Sequence, residues 1–553
     1  MQIVDPSTSA RASYVAAKSP ADTPKQLEEG GALRAGGEAN LLSRQYIGLL
    51  AQYASLGMLN HTLSNSLYPF LFNYCRMSGV EVASTKALLN LIWTFKFLMG
   101  IVSDCYPIFG YRRRPYMVLG WFIVFAAAFT MSLLPMPDPY YPVDSWATLK
   151  KLTPEQTAQL NKNAPHSGVT YLVLMVVYKF GMMIAIAAAE GKLVDVAQRE
   201  GMKTRGKAVA STNMVKFMCA IIAALLTGFG MNGPEYGGSF SHSMGYNAIM
   251  GVCAAVALVV VGFSWYCIED VQVLPENRTT VSANLKELYK LLQQRAVYQI
   301  VAYQFGRSFF AGFNTTAATP VKSLWGKVEP VTDTIGTAFS YIVASSIVYI
   351  IKRHGLNWSW RSIIIVMQVS ATILSVVPTS LTIWNVVRNQ WLFLPVSLHD
   401  ELPPYLGGMV SSLVITEIID VGNEATAFGL LSTVGNLSGP FATVIYKVID
   451  SHFQVGPAYL VADTNTVRWH AMETYLIAYA CNLFSLSFLL FLPRQKAELQ
   501  ELKRSGGKNK FVGTFTVAFL MFIFAWSLVT NCMTFSSKTS CYRIAGGKGC
   551  KKK

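Results

Sequence analysis

Charge is what this chain has least of. Only 14% of its 553 residues are Asp, Glu, Lys or Arg, where soluble proteins carry roughly a quarter. A compact body of this length could not stay dissolved with so few, so a soluble enzyme or a disordered regulator is excluded. Metal and redox chemistry lack their residues too. The nine cysteines are scattered, with no Cys-x-x-Cys pair and no metal-ligand spacing. A phosphate-binding glycine loop is missing, which argues against direct ATP-driven work. No cofactor and no metal are expected.

Apolar sequence is what the chain has in plenty, at 52%, and it comes in long blocks. A bilayer core about 30 Å thick takes about 20 residues of helix to cross. The blocks predict an all-α, polytopic membrane protein with six spans in 45–268, six in 296–493 and a probable thirteenth at 511–531. Residues 1–44 read as a disordered cytosolic tail, 269–295 as a cytosolic linker, and 494–553 as a basic segment, extra span and Cys/Lys tail. Two prolines, Pro403 and Pro404, interrupt the tenth span, and His399-Asp400-Glu401 just before them reads as the cap of a helix that restarts.

The net charge of +16 looks like a nucleic-acid signature until its placement is read. Lys and Arg are more numerous in the loops that alternate with the N-terminal tail, which orients that side to the cytosol. No nucleic-acid partner is expected; membrane lipid and a small molecule are, with the chain a monomer. The tail Lys551–Lys553 then falls outside, against the trend, where Cys541 and Cys550 could pair, carry lipid or do neither. Within the linker, Leu285, Leu288, Tyr289 and Leu292 recur at helical spacing between Lys286, Glu287 and Lys290, an amphipathic helix lying on the membrane surface.

The loop after the second span carries a denser signal. Gly100, Asp104, Gly110 and Arg112-Arg113-Arg114 combine a tight turn, one acid and a basic cluster. Asp104 paired with Arg112, Arg113 or Arg114 would make a conformational latch between helix ends; the arginines could equally meet anionic headgroups. The run Ser103-Asp104 to Pro107, Gly110, Tyr111 and Arg112–Tyr116 resembles the signature loop of the folate–biopterin transporters, a branch of the major facilitator superfamily. Tyr68-Pro69, Ala189-Glu190-Gly191 with Arg205-Gly206, and Gly422-Asn423-Glu424-Ala425-Thr426 followed by Asn436 are similar to other stretches of that family. The likeness covers roughly 45–493. It implies a six-plus-six helix bundle, with an inverted repeat inside each half, that moves folate- or pteridine-type anions. The family usually has Asp where this chain has Glu190, and often Arg where it has Lys216.

Ionisable residues at membrane depth are costly and seldom idle. Counting ~1.5 Å per residue, Lys96, Lys179, Lys216 and Arg307 all fall near the midplane, and no carboxylate is expected as deep. Four cations predict an anionic cargo, with Arg307 the fork for a carboxylate. Asn60 and Asn314, on the first helices of the two halves, are candidates for the pteridine edge. Glu190 and His61 are candidates for proton coupling. The alternatives are S-adenosylmethionine or another small metabolite as cargo, whose sulfonium suits four cations poorly, and more remotely a membrane-embedded transferase working through His399-Asp400-Glu401. The plasma membrane is the expected location, an organellar membrane the alternative.

Overall fold

The computed structural model describes residues 31–77, 79–142, 153–274, 278–535, 538–539, 541–542 and 549–550. Hydrocarbon offers a backbone no hydrogen-bond partner, so a crossing segment must satisfy its own amides in a helix or a closed barrel. This chain takes the helical answer, and no strand occurs among the described residues. Its long helices are α1 (Ile47–Leu67), α2 (Thr85–Cys105), α3 (Arg114–Leu133), α4 (Ala164–Gln198), α5 (Lys207–Gly230) and α6 (Tyr246–Tyr266). They continue with α7 (Arg295–Ala311), α8 (Val331–Gly355), α9 (Trp360–Ile383), α10 (Leu394–Ile418), α11 (Glu424–Asp450), α12 (Asn465–Phe491) and α13 (Lys510–Phe535).

Ten of these are long and apolar enough to cross a membrane. The other three are α1, α7 and α10. They carry Gln52, Asn60 and His61, then Gln304 and Arg307, then His399, Asp400 and Glu401. Helices that are polar in this way belong against a polar interior and away from lipid.

Packing follows a repeat. In the first half α1 lies against α5 and α3 against α4; in the second, α7 lies against α11 and α9 against α10. The halves meet where α5 packs on α8 and α2 on α11. Each contact has its counterpart six helices on, the signature of two related six-helix units. α13 stands outside this scheme, against the first turns leading into α2, α11 and the linker helix. At 26 residues it is about 39 Å long, enough to cross. It starts beside the linker, where the Asn509 N–H donates to Gln293 O, and past its far end Cys541 and Cys550 form a disulfide.

Local chemistry explains most boundaries. Pro115 opens α3 and Pro165 opens α4, where a missing N–H costs nothing. Thr280 caps the linker helix Val281–Leu292 by accepting from the Ala283 N–H, and Thr464 caps α12 through Val467. Gly206, at φ +106°, makes the left-handed step into α5.

Three expectations need correction. α10 does not break at Pro403-Pro404 but runs through both prolines; the carbonyls of His399 and Asp400, four residues back, lose their helical partners there. His399-Asp400-Glu401 therefore sits inside a helix and caps nothing. α4 continues two turns past Glu190 to Gln198, so Glu190 lies deeper than a span ending at 190 implies. Residues 31–44 pack on the bundle: Leu33 and Arg34 donate backbone N–H groups to Gln198 O, and Lys207 pairs with Glu38. Residues 1–30 lie outside the described part. The linker helix is present, with Leu288 and Leu292 buried, but Leu285 and Tyr289 face outward.

Close helix approach sets one test. A Cβ added at Gly57 would lie 2.0 Å from the Lys216 carbonyl oxygen, a backbone atom that cannot swing aside. Gly57→Val should separate α1 from α5 and destabilise the purified protein by about 1–3 kcal/mol. An unchanged melting temperature in detergent would contradict this packing.

Candidate functional site

A cavity of about 520 Å³ opens between α7, α9, α10 and α11, and Glu190 of α4 reaches it from the other half. Five buried polar atoms on its walls have no hydrogen-bond partner: Glu190 Oε2, Gln304 Oε1, Arg307 Nε, Gln368 Oε1 and His399 Nε2. Leaving one such atom unmatched costs about 1–3 kcal/mol. Five around one space give it unused hydrogen-bonding capacity to offer a polar ligand or water. The side chains are otherwise held in place. Arg307, 7% exposed, donates through Nη2 to Pro403 O at 3.2 Å, with its guanidinium against Gly407, where a Cβ would collide at 2.4 Å. His399 Nδ1 is 3.1 Å from Asp400 Oδ1. Asn314 also lines the cavity, its Oδ1 accepting from the Thr315 N–H.

The three lysines gather on the first half and do not line this cavity. Lys96 pairs with Glu190 at 2.7 Å, Lys179 donates to Asn60 Oδ1 at 2.5 Å, and Lys216 to Asn213 Oδ1 at 3.0 Å. Trp93 lies between the first two, its ring 5.3 Å from the Lys96 ammonium and 5.7 Å from that of Lys179. The expectation of four free cations is thus corrected to one arginine in the cavity and a lysine cluster beside it. The reason is the longer α4, which brings Glu190 to the depth of Lys96. His61 stands apart from Glu190 and meets Tyr341 of the second half, Nδ1 to hydroxyl at 2.9 Å.

A second constellation closes the face that carries the linker. Asp104 pairs with Arg113 at 2.7 Å and accepts from the Thr426 N–H and hydroxyl at 2.8 and 2.7 Å. It thereby caps the start of α11, a helix of the other half. Arg113 also reaches Glu424 at 3.1 Å. Burial works against its charge, but Asp104 and Glu424 outweigh that and hold its pKa above the ordinary arginine value. Arg34 bridges Asp195 and Glu424, both at 2.5 Å. Arg205 pairs with Glu417 at 2.8 Å, the two side chains 1% and 2% exposed.

Among the described residues, every ion pair joining the halves lies on this face. On the opposite face the ties stay within one half, as in Asn73 to Tyr236 O and Arg388 to Asp463. Of the three arginines expected in the latch, only Arg113 joins it. Arg114 donates to Ile268 O and covers the Tyr111 ring, and the Arg112 carbonyl accepts from Ser103. Arg34 and Gln368 escaped the sequence reading, and Arg205 and Glu417 were not read as partners. A lone polar residue inside an apolar span was the available signal for Gln368, while Arg34 lay in a segment read as disordered.

The model of the BT1 family matches residues 57–146, which include the signature loop. A folate-biopterin transporter of Synechocystis sp. (strain ATCC 27184 / PCC 6803 / Kazusa) is 20% identical over 442 residues, 76% of this chain and 77% of that protein. Folate transporter 1 of Plasmodium falciparum (isolate 3D7) is 29% identical over 68 residues, 12% of this chain and 13% of that one. In three dimensions the major facilitator proton:xylose symporter XylE matches with a TM-score of 0.52 at 12% identity, covering 83% of this chain and 98% of its own. That likeness gives the fold.

The buried pair Arg205–Glu417 offers a direct check. Glu417→Ala strands an arginine that is 1% exposed, and should destabilise the protein by about 3–5 kcal/mol. The paired replacement Arg205→Met with Glu417→Met should recover most of that loss. A single variant that melts like the wild type would show that the pair holds nothing.

Proposed function

We propose that this chain, which resembles the BT1-family transporters, is a carrier and not an enzyme, and that it moves folate- or pteridine-type organic anions by alternating access, coupled to protons. The observation that carries this reading is the set of five unmatched polar atoms around one cavity. Arg307 supplies a planar fork suited to a carboxylate. Gln304, Gln368 and Glu190 supply the acceptors that a flat, N–H-rich heterocycle would need. The names of the Synechocystis and Plasmodium relatives point to the same cargo.

The linker face is the cytosolic one in this reading, with the N-terminus on that side and the plasma membrane as the location. The latch of Asp104, Arg113 and Glu424 then holds the cytosolic exit shut while the cavity is loaded from outside. Lys96, Lys179 and Lys216 draw the anion toward the midplane, and Asn60 meets the hydrogen-bonding edge of its pteridine. Asn314 contacts it at the outer mouth. Glu190 and His61 exchange the coupling proton.

S-adenosylmethionine is the second reading, and one observation favours it. Glu190 offers an unpaired carboxylate oxygen to the cavity, a partner for an amine or a sulfonium as much as for a pteridine.

Uptake of tritiated folate, biopterin and S-adenosylmethionine into cells lacking their own carriers separates the readings. Folate uptake should exceed the others and fall as external pH rises. Arg307→Ala should lower it about 10- to 100-fold, the equivalent of one charge-assisted hydrogen bond at ~1.5–3 kcal/mol. Folate uptake indifferent to that change would sink the binding assignment, and uptake untouched by collapsing the proton gradient would remove coupling.

A further inference from the structure

A row of hydrogen-bonding side chains that no substrate contact explains crosses between the halves. Glu401 and Tyr405 stand one turn apart on α10, with the Glu401 carboxyl beside the Tyr405 hydroxyl. The same hydroxyl lies 3.3 Å from that of Tyr341 on α8, which lies 2.9 Å from His61 Nδ1 on α1. The rings pack as a unit. His61 meets Tyr341 and Tyr405 edge-on at 5.0 and 6.0 Å, and Phe217 of α5 flanks Tyr405 at 5.0 Å. Tyr341 is 1% exposed. Phenols are interchangeable with phenylalanines in apolar packing, so two hydroxyls aligned end to end between a carboxyl and an imidazole have a purpose beyond filling space.

We propose that Glu401, Tyr405, Tyr341 and His61 form a relay that brings the coupling proton from the face opposite the linker to the centre of the bundle. The proposal rests on the proton-coupled reading above and supplies the path that reading lacks. His61 begins neutral, with its proton on Nε2. The Glu401 carboxyl gives its proton to the Tyr405 oxygen, Tyr405 passes its own to Tyr341, and Tyr341 passes its own to His61 Nδ1. Three O–H bonds break, while two O–H bonds and one N–H bond form. The products are a carboxylate, two neutral phenols and an imidazolium, and no redox partner is involved.

The charged surroundings give the relay its coupling. Asp400 of α10, Asp333 of α8 and Lys86 of α2 face Glu401. Lys179 of α4 and Lys216 of α5 face His61. An imidazolium beside two ammonium groups is a like-charge cluster, relieved when negative charge arrives nearby. An anion drawn into the cavity that Glu190 borders supplies that charge, so proton and anion load together. Because the four residues come from both halves, the path is continuous only while α1, α8 and α10 keep this arrangement, and rocking would break it behind the proton.

The test compares full-length wild type with Tyr341→Phe and Tyr405→Phe in liposomes, each taking up tritiated folate at external pH ~5.5 and ~7.5, on either side of the ordinary histidine range. Both variants keep the ring packing and lose one hydroxyl. The wild type should be stimulated by acid; each variant should lose about tenfold of the acid rate, down to its neutral-pH rate, with folate affinity by equilibrium binding unchanged. If one variant does not reach the membrane, the other decides. A purified variant that keeps the wild-type acid stimulation overturns the relay. A wild type that binds folate but ignores pH overturns proton coupling and the relay with it. If the wild type does not bind folate, the cargo reading fails by itself, and the same pair of rates is then read with biopterin or S-adenosylmethionine.

Discussion

A charge or an unmet hydrogen bond costs far more in hydrocarbon than in water, and that asymmetry shapes every level of this bundle. It makes each crossing segment a helix. It also forces each buried ion to find a partner on another helix, and the location of those partners sets how the halves meet. Arg113 takes Asp104 from its own half and Glu424 from the other. Arg205 finds Glu417 across the interface. Meeting these charges draws the halves together at the linker face, while the ion pairs of the opposite face fasten loops within the second half.

Under the alternating access proposed above, this set of pairs must hold and yet release. A buried pair broken in place leaves an uncompensated charge, a loss of about 3–5 kcal/mol. These pairs, however, sit at loop level, at the ends of α2, α4, α10 and α11. Separating the halves would hand them to water and not to lipid, and a solvated pair is worth only about 0–1 kcal/mol. The same residues can therefore fasten a closed face firmly and cost little once the face is open. Arg34 extends this logic, since a segment outside the bundle supplies a third link between Asp195 and Glu424.

The fold was legible because its signal is crude and long: blocks of about 20 apolar residues survive any uncertainty about their ends. The latch was half legible. Asp104 and the arginine cluster announce themselves as a motif, but choosing Arg113 over Arg112 and Arg114 needs the turn at Gly110 and the position of Glu424, more than 300 residues away. The lysine cluster misled because the depth of Glu190 depends on where α4 ends, and nothing in an Ala-rich run marks Gln198 as the last turn. Asn60 was identified, but its partner Lys179 could be found only in three dimensions. Gln368 and His399 went unread as cavity groups because each is a single polar residue whose meaning lies in what faces it.

The placement of polarity along the chain then becomes an argument about design. The three helices too short or too polar to qualify as ordinary spans are α1, α7 and α10, and α4, though apolar enough, carries Lys179 and Glu190. First, fourth, seventh and tenth are the positions that open each three-helix repeat when a half is built as three plus three. The packing pattern, repeated six helices on, shows the larger of those two symmetries directly. The intervening helices can be tuned for lipid and for contact between halves, as Gly228 of α5 is for close approach to Thr334 of α8. The titratable residues that line the cavity, Glu190, Arg307, His399 and Asp400, all lie on these lead helices. In the proposed reading, such a division lets one scaffold change its cargo by changing a few residues on these helices, Gln304 and Arg307 of α7 and Glu190 of α4 among them, with Gln368 of α9 facing the same cavity.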